Sequence, residues 1–438
     1  MSEWIKKIKK SFLILTVLIL LGLLSLIAVY SLPTEMNLNT LKSSVSLYKS
    51  EGIYPNWNCD KEDSNVFLST TLDNFTDSIM LRNVIYPGSG SIVRDAILNP
   101  KFEYKNSNTL QSLIFQLEGK GSDYFISYYP RYWHGYLIVL KPLTCFLDVS
   151  HIRLLNLLLQ ITLTTYLTVV LSTDLGKGIG ISYFLTYAFF NPMSLSMSFQ
   201  FSSVFYVMTL ITFLLLRYWK LFLQNNNYLY LFLCSGILTA FFDLLTYPLV
   251  TLGIPLTVLF VKLYYSDLRI LDKTQAMYLL INTSLFWCIG YGGMYIGKWL
   301  LAWYITDISV VVQTLNQLQH RMSNYVSGSG GGQVITPIQA IFRNLTIVFN
   351  DPVFMALMLI LVYSLYKLYK TKIVSEKKYF VALKFILRIL MLLPFFWYFL
   401  LSNHSFVHSF FAYRTIAIFV FAEGCYITTC FKENSVVK

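Results

Sequence analysis

Apolar and polar positions in this chain fall into long blocks, not a short alternation. Apolar runs occupy Ser11–Leu32, His151–Leu171, Gly178–Met197, Phe199–Leu216, Tyr228–Phe242, Pro248–Tyr265, Ala276–Gly297, Pro352–Tyr369, Phe380–Leu401 and Thr415–Cys430. The longer ones are continuous over roughly 18–22 residues, the length a helix needs to cross a bilayer. A β-barrel, which alternates in segments of about ten residues, is excluded. The pattern predicts an all-α polytopic membrane protein of about ten transmembrane helices with a large external first loop. The run at Gly178–Met197 is interrupted by Asn191-Pro192, so a re-entrant hairpin is the alternative there.

Composition agrees: of 438 residues, 55% are hydrophobic and only 13% charged, and the mean hydropathy is +0.56. A net charge of +12 reads as the excess of Lys and Arg on cytoplasmic loops, because no basic module with interleaved aromatics exists to bind nucleic acid. Lys6, Lys7, Lys9 and Lys10 precede the first run, which places the N-terminus inside. Ten crossings return the C-terminus to the same side, so the expected location is the cell membrane with both termini cytoplasmic. The alternating loops agree, with seventeen Lys and Arg on the inside segments against four on the outside ones after residue 150. The first run is too long for a signal-peptide core and has no small-residue cleavage site, so it reads as a retained helix.

The chain then divides into a basic N-terminus and first helix (1–32), an external loop with juxtamembrane amphipathic segments (33–150), helices two to seven (151–297), a second external loop (298–351) and helices eight to ten with the cytoplasmic tail (352–438). In the second loop, Trp299–Ile305 is aromatic enough to lie at the interface, and Ser327–Gly332 reads as a slack connection or a gating loop. The six cysteines have no metal-type spacing; Cys59 and Cys145 share the first loop and a disulfide between them is conceivable.

Candidate chemistry concentrates at the external face. Asp73 and Asp77 are four apart and share one face of a helix, as a base with its electrostatic partner or as half of a divalent-cation site. The plain alternative is that Asp73 caps the helix. In Tyr129-Pro130-Arg131-Tyr132-Trp133-His134-Gly135-Tyr136 the rings suit an interfacial anchor, while Arg131 and His134 together suit phosphate recognition. Asp243 follows an apolar run and calls for a cation, with Arg131 or Arg414 as candidates. His404, His408 and Arg414 share the last external turn; anion or sugar contact is expected there, and a two-His metal site is the alternative.

A cytoplasmic N-terminus, one helix, a long external loop carrying acidic residues and a bundle with a second external loop resemble the GT-C superfamily of membrane glycosyltransferases. That resemblance implies a sugar taken from a polyprenyl-phosphate-linked donor and given to a glycan, lipid or protein acceptor, with membrane lipid around the site. It implies Asp77 or Asp73 as base, with Glu35, the first acidic residue after helix one, as alternative, and Arg131, His134 and Arg414 on the lipid-linked phosphate. A polysaccharide polymerase is a second enzyme reading. From another class, a transporter or flippase for lipid-linked glycans, or a non-catalytic subunit of a glycan-assembly complex, fits the same hydropathy.

Overall fold

The computed structural model describes residues 2–57, 67–121, 123–266, 272–306, 310–326, 332–370 and 378–437. The first helix, α1 (Ser2–Tyr30), is apolar for almost its whole length. Two short helices follow, α2 (Glu35–Leu41) and α3 (Val45–Glu51), the latter stopped by Gly52 at φ +80°. Asp73 starts α4 (Asn74–Val84) by accepting the Thr76 N–H, the capping role its position allows. Next come α5 (Ile92–Leu98), β1 (Pro100–Tyr104), α6 (Thr109–Glu118), β2 (Tyr124–Tyr128) and α7 (Leu137–Thr144). Strands β1 and β2 form an antiparallel hairpin, with Phe102 opposite Ile126. Sequence pattern gave no hint of it, because β2 is exposed on both faces and lacks a period-two burial pattern.

The bundle is built from α8 (Val149–Leu175), α9 (Lys177–Phe189), α10 (Pro192–Met197), α11 (Phe199–Arg217), α12 (Trp219–Leu223), α13 (Tyr228–Phe242), α14 (Val250–Tyr265) and α15 (Lys273–Thr306). Beyond it lie α16 (Val310–Met322), a small hairpin of β3 (Tyr325–Val326) and β4 (Gln333–Val334), α17 (Pro337–Asn350), α18 (Pro352–Lys370), α19 (Lys378–Leu400), α20 (Ser402–Val407), α21 (Ser409–Ala412) and α22 (Ala417–Val437). One apolar core runs through all the long helices.

The described residues are mostly helical, with two short β-hairpins, and the long apolar helices are consistent with a multi-pass membrane protein. Among the described residues six helices are long and apolar enough to cross a bilayer, or seven if α17 and α18, which meet at 96°, count as one broken span. The other expected crossings are helical but short. With 15 and 16 residues, α13 and α14 measure about 23 Å against a hydrocarbon core of roughly 30 Å. The Gly178–Met197 run is split at Asn191, whose φ of +56° ends one helix and starts α10.

The expected boundary at residue 298 is not where a helix ends. Helix α15 continues to Thr306, and Lys298 is fully buried within it, donating to Asn99 Oδ1 at 2.9 Å and the Ala96 carbonyl at 3.2 Å. The apolar stem extends the helix because this buried end finds backbone and amide acceptors for the ammonium. Cys145 is a free thiol; Cys59 and the Ser327–Gly331 stretch lie outside the described residues.

Helices α13 and α15 pack without room for side chains between them. A Cβ on Gly236 would lie 2.1 Å from the Trp287 carbonyl oxygen, and one on Gly290 2.1 Å from that of Leu233. This tight pair fixes the positions of Asp243 at the end of α13 and of Tyr291 and Tyr295 on α15.

Candidate functional site

Asp73 and Asp77 are both buried at the start of α4. Helix α11 begins against them, and the two helices cap each other. The Asp77 carboxylate accepts the Phe199 N–H at 3.0 and 3.3 Å, Asp73 accepts from the Gln200 side-chain amide, and the Asp73 N–H donates to Ser198 Oγ at 2.9 Å. A helix start leaves its first N–H groups unpaired and carries positive potential, which favours carboxylates there. Burial acts the other way. It pushes Asp73 up to about 6, although bonds from Thr76 and Gln200 pull it down. It pushes Asp77 well above the usual carboxylate range, against the pull of Arg153. Arg153 is itself engaged bidentately by Glu51 at 2.6 and 3.1 Å and bonds Asn74 Oδ1 at 3.0 Å.

Below this pair opens an apolar groove of about 440 Å3 between α7, α8, α11 and α13. Leu159, Leu210, Met80, Phe199 and Phe242 are among the residues that line it. Val139, Leu159 and Leu210 on its rim are exposed, so in a bilayer the groove faces lipid. Phe199 carries the N–H that Asp77 accepts, Met80 lies one turn beyond Asp77, and Phe242 precedes Asp243.

A second polar group gathers beyond Asp243. The Asp243 carboxylate is turned back on its own chain, accepting Thr246 Oγ1–H at 2.5 Å and Thr246 N–H at 3.0 and 3.1 Å; neither Arg131 nor Arg414 is its partner. Burial pushes its pKa up to about 6, which weakens the need for a cation. Within the turn Leu245 takes φ +68°, a costly conformation for a leucine. Tyr295 donates to the Asp243 carbonyl at 3.4 Å and its ring meets those of Tyr132 at 6.0 Å and Tyr291 at 5.1 Å.

Arg321, from the last turn of α16, donates to His404 Nδ1 at 3.2 Å and lies within electrostatic range of these tyrosines. The His404 and His408 rings are 4.9 Å apart. Burial, with the Arg321 charge, holds His404 well below the usual histidine range and His408 at about 4, so both are neutral at pH 7. Arg131 lies over the Tyr129 ring at 5.2 Å, and Tyr129 feels both Arg131 and Arg321.

The structure thus brings Arg131, Asp243, His404 and His408 into one neighbourhood and leaves Asp73 with Asp77 as a separate pair. His134 and Arg414 join neither. His134 is buried at φ +58°, with Nε2 2.9 Å from the Tyr129 carbonyl and Nδ1 2.7 Å from the Tyr136 hydroxyl. Arg414 spends its fork on the Phe190 and Phe410 carbonyls and Ser194 Oγ, at 2.9, 3.2 and 2.6 Å. In both cases the nitrogens are engaged by backbone carbonyls and hydroxyls of the protein, so no free edge is left for a phosphate.

The Tyr132–Tyr136 rings are buried instead of lying at an interface, because the Trp133 indole N–H finds the Met294 carbonyl at 2.7 Å and the Gly135 N–H the Phe241 carbonyl at 2.9 Å. Glu35 is exposed at the start of α2, away from both groups. Among the described residues no three His, Cys, Asp or Glu side chains come together as a metal set.

Reasoning from sequence placed Gln200 and Arg321 among the polar groups of the external face without giving either a role, and it missed Tyr291 and Tyr295. The signal for the tyrosines was legible: Trp287, Tyr291, Tyr295 and Trp299 recur every four residues, a stripe on one face of α15. Arg321 had none, since its place depends on how α16 folds back. No family model matches the chain, and no curated protein and no solved structure matches it either.

Proposed function

We propose that this chain is a membrane glycosyltransferase that moves a sugar from a polyprenyl-phosphate donor to a glycan, lipid or protein acceptor at the outer face of the cell membrane. In this reading ten helices cross the bilayer, with the short α13 and α14 largely buried among longer neighbours. The termini are cytoplasmic, and residues 33–150 and the segment from Thr306 to Asp351 lie outside. The observation that carries it is the lipid-facing apolar groove lined by Phe199, whose N–H the Asp77 carboxylate accepts. An isoprenoid tail needs such a groove, and the sugar at its head needs a carboxylate within reach.

The chemistry is an inverting displacement. Asp77 in its ionised form takes the proton of an acceptor hydroxyl, the oxygen attacks the anomeric carbon, and the carbon–oxygen bond to phosphate breaks with its electron pair leaving on the phosphate. Burial raises the basicity of Asp77 above that of an ordinary carboxylate, which strengthens it as a base. Asp73 and Gln200 hold the start of α11, and with it Phe199, in place.

The test is the surface-glycan composition of cells whose only copy is Asp77→Asn, beside Asp73→Asn, Glu35→Gln and a deletion, with protein abundance followed in the membrane. The expected result is that Asp77→Asn loses the same sugar as the deletion while the protein stays abundant. Wild-type glycan in all three carboxylate variants, with loss only in the deletion, would remove the catalytic reading and favour transport or scaffolding.

A further inference from the structure

We infer that Arg321, with His404 and the hydroxyl of Tyr291, forms a phosphate-binding site that takes the phosphate of a lipid. The inference rests on the transferase reading only for the identity of the lipid; the pocket's chemistry stands apart from it.

A guanidinium drawn into a cluster of aromatic rings normally brings a carboxylate with it, because burying an uncompensated cation is costly. Here the hydrogen-bond partner of Arg321 is the neutral ring of His404, and the side chains near its charge include the neutral tyrosines Tyr129, Tyr291 and Tyr295. Asp243, the carboxylate of this neighbourhood, is consumed by Thr246. The remaining capacity is that of donors. The Tyr291 hydroxyl is buried without a hydrogen-bond partner, and His404, only 2% exposed, leaves Nε2 beside the Leu245 backbone with no well-formed bond. Because His404 Nδ1 accepts from Arg321, the proton of the neutral ring sits on Nε2, which is therefore a donor.

One fixed positive charge surrounded by O–H and N–H donors matches a group with several acceptor oxygens and negative charge. A phosphate satisfies all of them at once; a neutral sugar leaves the guanidinium uncompensated. The source is set by the surroundings: Phe242 lines the apolar groove and Asp243, the next residue, belongs to this cluster, so a lipid tail seated in the groove lies beside it. Arg321 arrives from α16, held on α20 by the Asn403 N–H bond to the Ser323 carbonyl at 3.2 Å and by the Asn403 amide on the Tyr325 carbonyl. The charge of the site is therefore supplied by a segment outside the bundle.

The experiment is binding by the purified full chain in detergent micelles, read as thermal stabilisation and by calorimetry, with farnesyl phosphate, farnesol and inorganic phosphate as probes. Wild type is compared with Arg321→Gln, Arg321→Lys, Tyr291→Phe and, as control, Arg343→Gln, a cation of the same segment that lies over Phe406. Arg321→Gln is expected to weaken farnesyl phosphate by about tenfold or more while farnesol binding stays unchanged, which also shows that the variant is folded. Arg321→Lys should fall between, and Arg343→Gln should match wild type. Stabilisation by farnesyl phosphate but not by inorganic phosphate supports the lipid source; equal stabilisation by both, lost in Arg321→Gln, overturns that source in favour of free phosphate. Equal farnesyl phosphate binding by wild type and Arg321→Gln, or none by wild type, overturns the site. Binding needs no turnover, so a harmless Asp77→Asn in cells can sink the transferase reading while this result stands, and the reverse.

Discussion

The Asp77 carboxylate accepts the backbone N–H of Phe199 at 3.0 Å, joining the first turn of α4 to the start of α11 across 122 positions of sequence. One side chain thus serves as a tertiary helix cap and as the candidate base. Asn at position 77 keeps a side-chain oxygen for the Phe199 N–H, whereas Ala leaves that donor buried and unpaired. Asp77→Asn should therefore melt within a few degrees of wild type, and Asp77→Ala should lose about 1–3 kcal/mol, measured by thermal unfolding in micelles.

Asp73 gives a pH dependence whose sign follows from its raised pKa. Between its ordinary value of 3.8 and about 6 the folded protein keeps a proton that the unfolded chain releases. Its contribution to stability is therefore greatest below about pH 4, falls as pH rises through about 6, and is level above that. The difference between the wild-type and Asp73→Asn melting profiles from pH 4 to 8 should show this decline, with an amplitude on the order of 3 kcal/mol at most, while Asp77, Asp243 and the two histidines contribute equally to both profiles. The transfer rate runs the other way, rising with pH as the carboxylates ionise.

Close packing of α13 on α15 predicts that Gly236→Ala and Gly290→Ala each cost roughly 1–3 kcal/mol or more, since the added methyl group meets backbone that cannot rotate away. Gly292 is the internal control: a Cβ there meets nothing within 4 Å, and Gly292→Ala should leave abundance and melting unchanged.

Arg414→Lys should destabilise the protein without changing which ligand it binds. A lysine has no planar fork to reach the Phe190 and Phe410 carbonyls and Ser194 Oγ together. A loss of about 2–3 kcal/mol is expected, with farnesyl phosphate affinity retained in the folded fraction. Affinity reduced tenfold or more at unchanged stability would return Arg414 to the ligand site.

Ser203 lines the apolar groove, and Ser203→Trp should fill it. Farnesol and farnesyl phosphate should then lose affinity together, unlike Arg321→Gln, which separates them. Unchanged binding of both would place the lipid tail elsewhere.

Sequence by itself determined the helices. Continuous apolar runs, the Asn191-Pro192 break and the Asp73 cap were all legible, because hydrophobic length and local turn chemistry act over a few residues. Hydropathy also put the candidate polar residues between the runs. What it left open was which of them meet. His134 and Arg414 look like phosphate ligands in one dimension, yet each is spent on backbone carbonyls and hydroxyls of the protein. Arg321 looks like any loop cation, yet α16 lays it against His404 and the α15 tyrosines. Those partnerships lie 83 residues apart for Arg321 with His404 and 224 for Arg414 with Phe190. They exist because a buried donor takes whichever acceptor the packing of helices brings to it, and only the tertiary structure decides that.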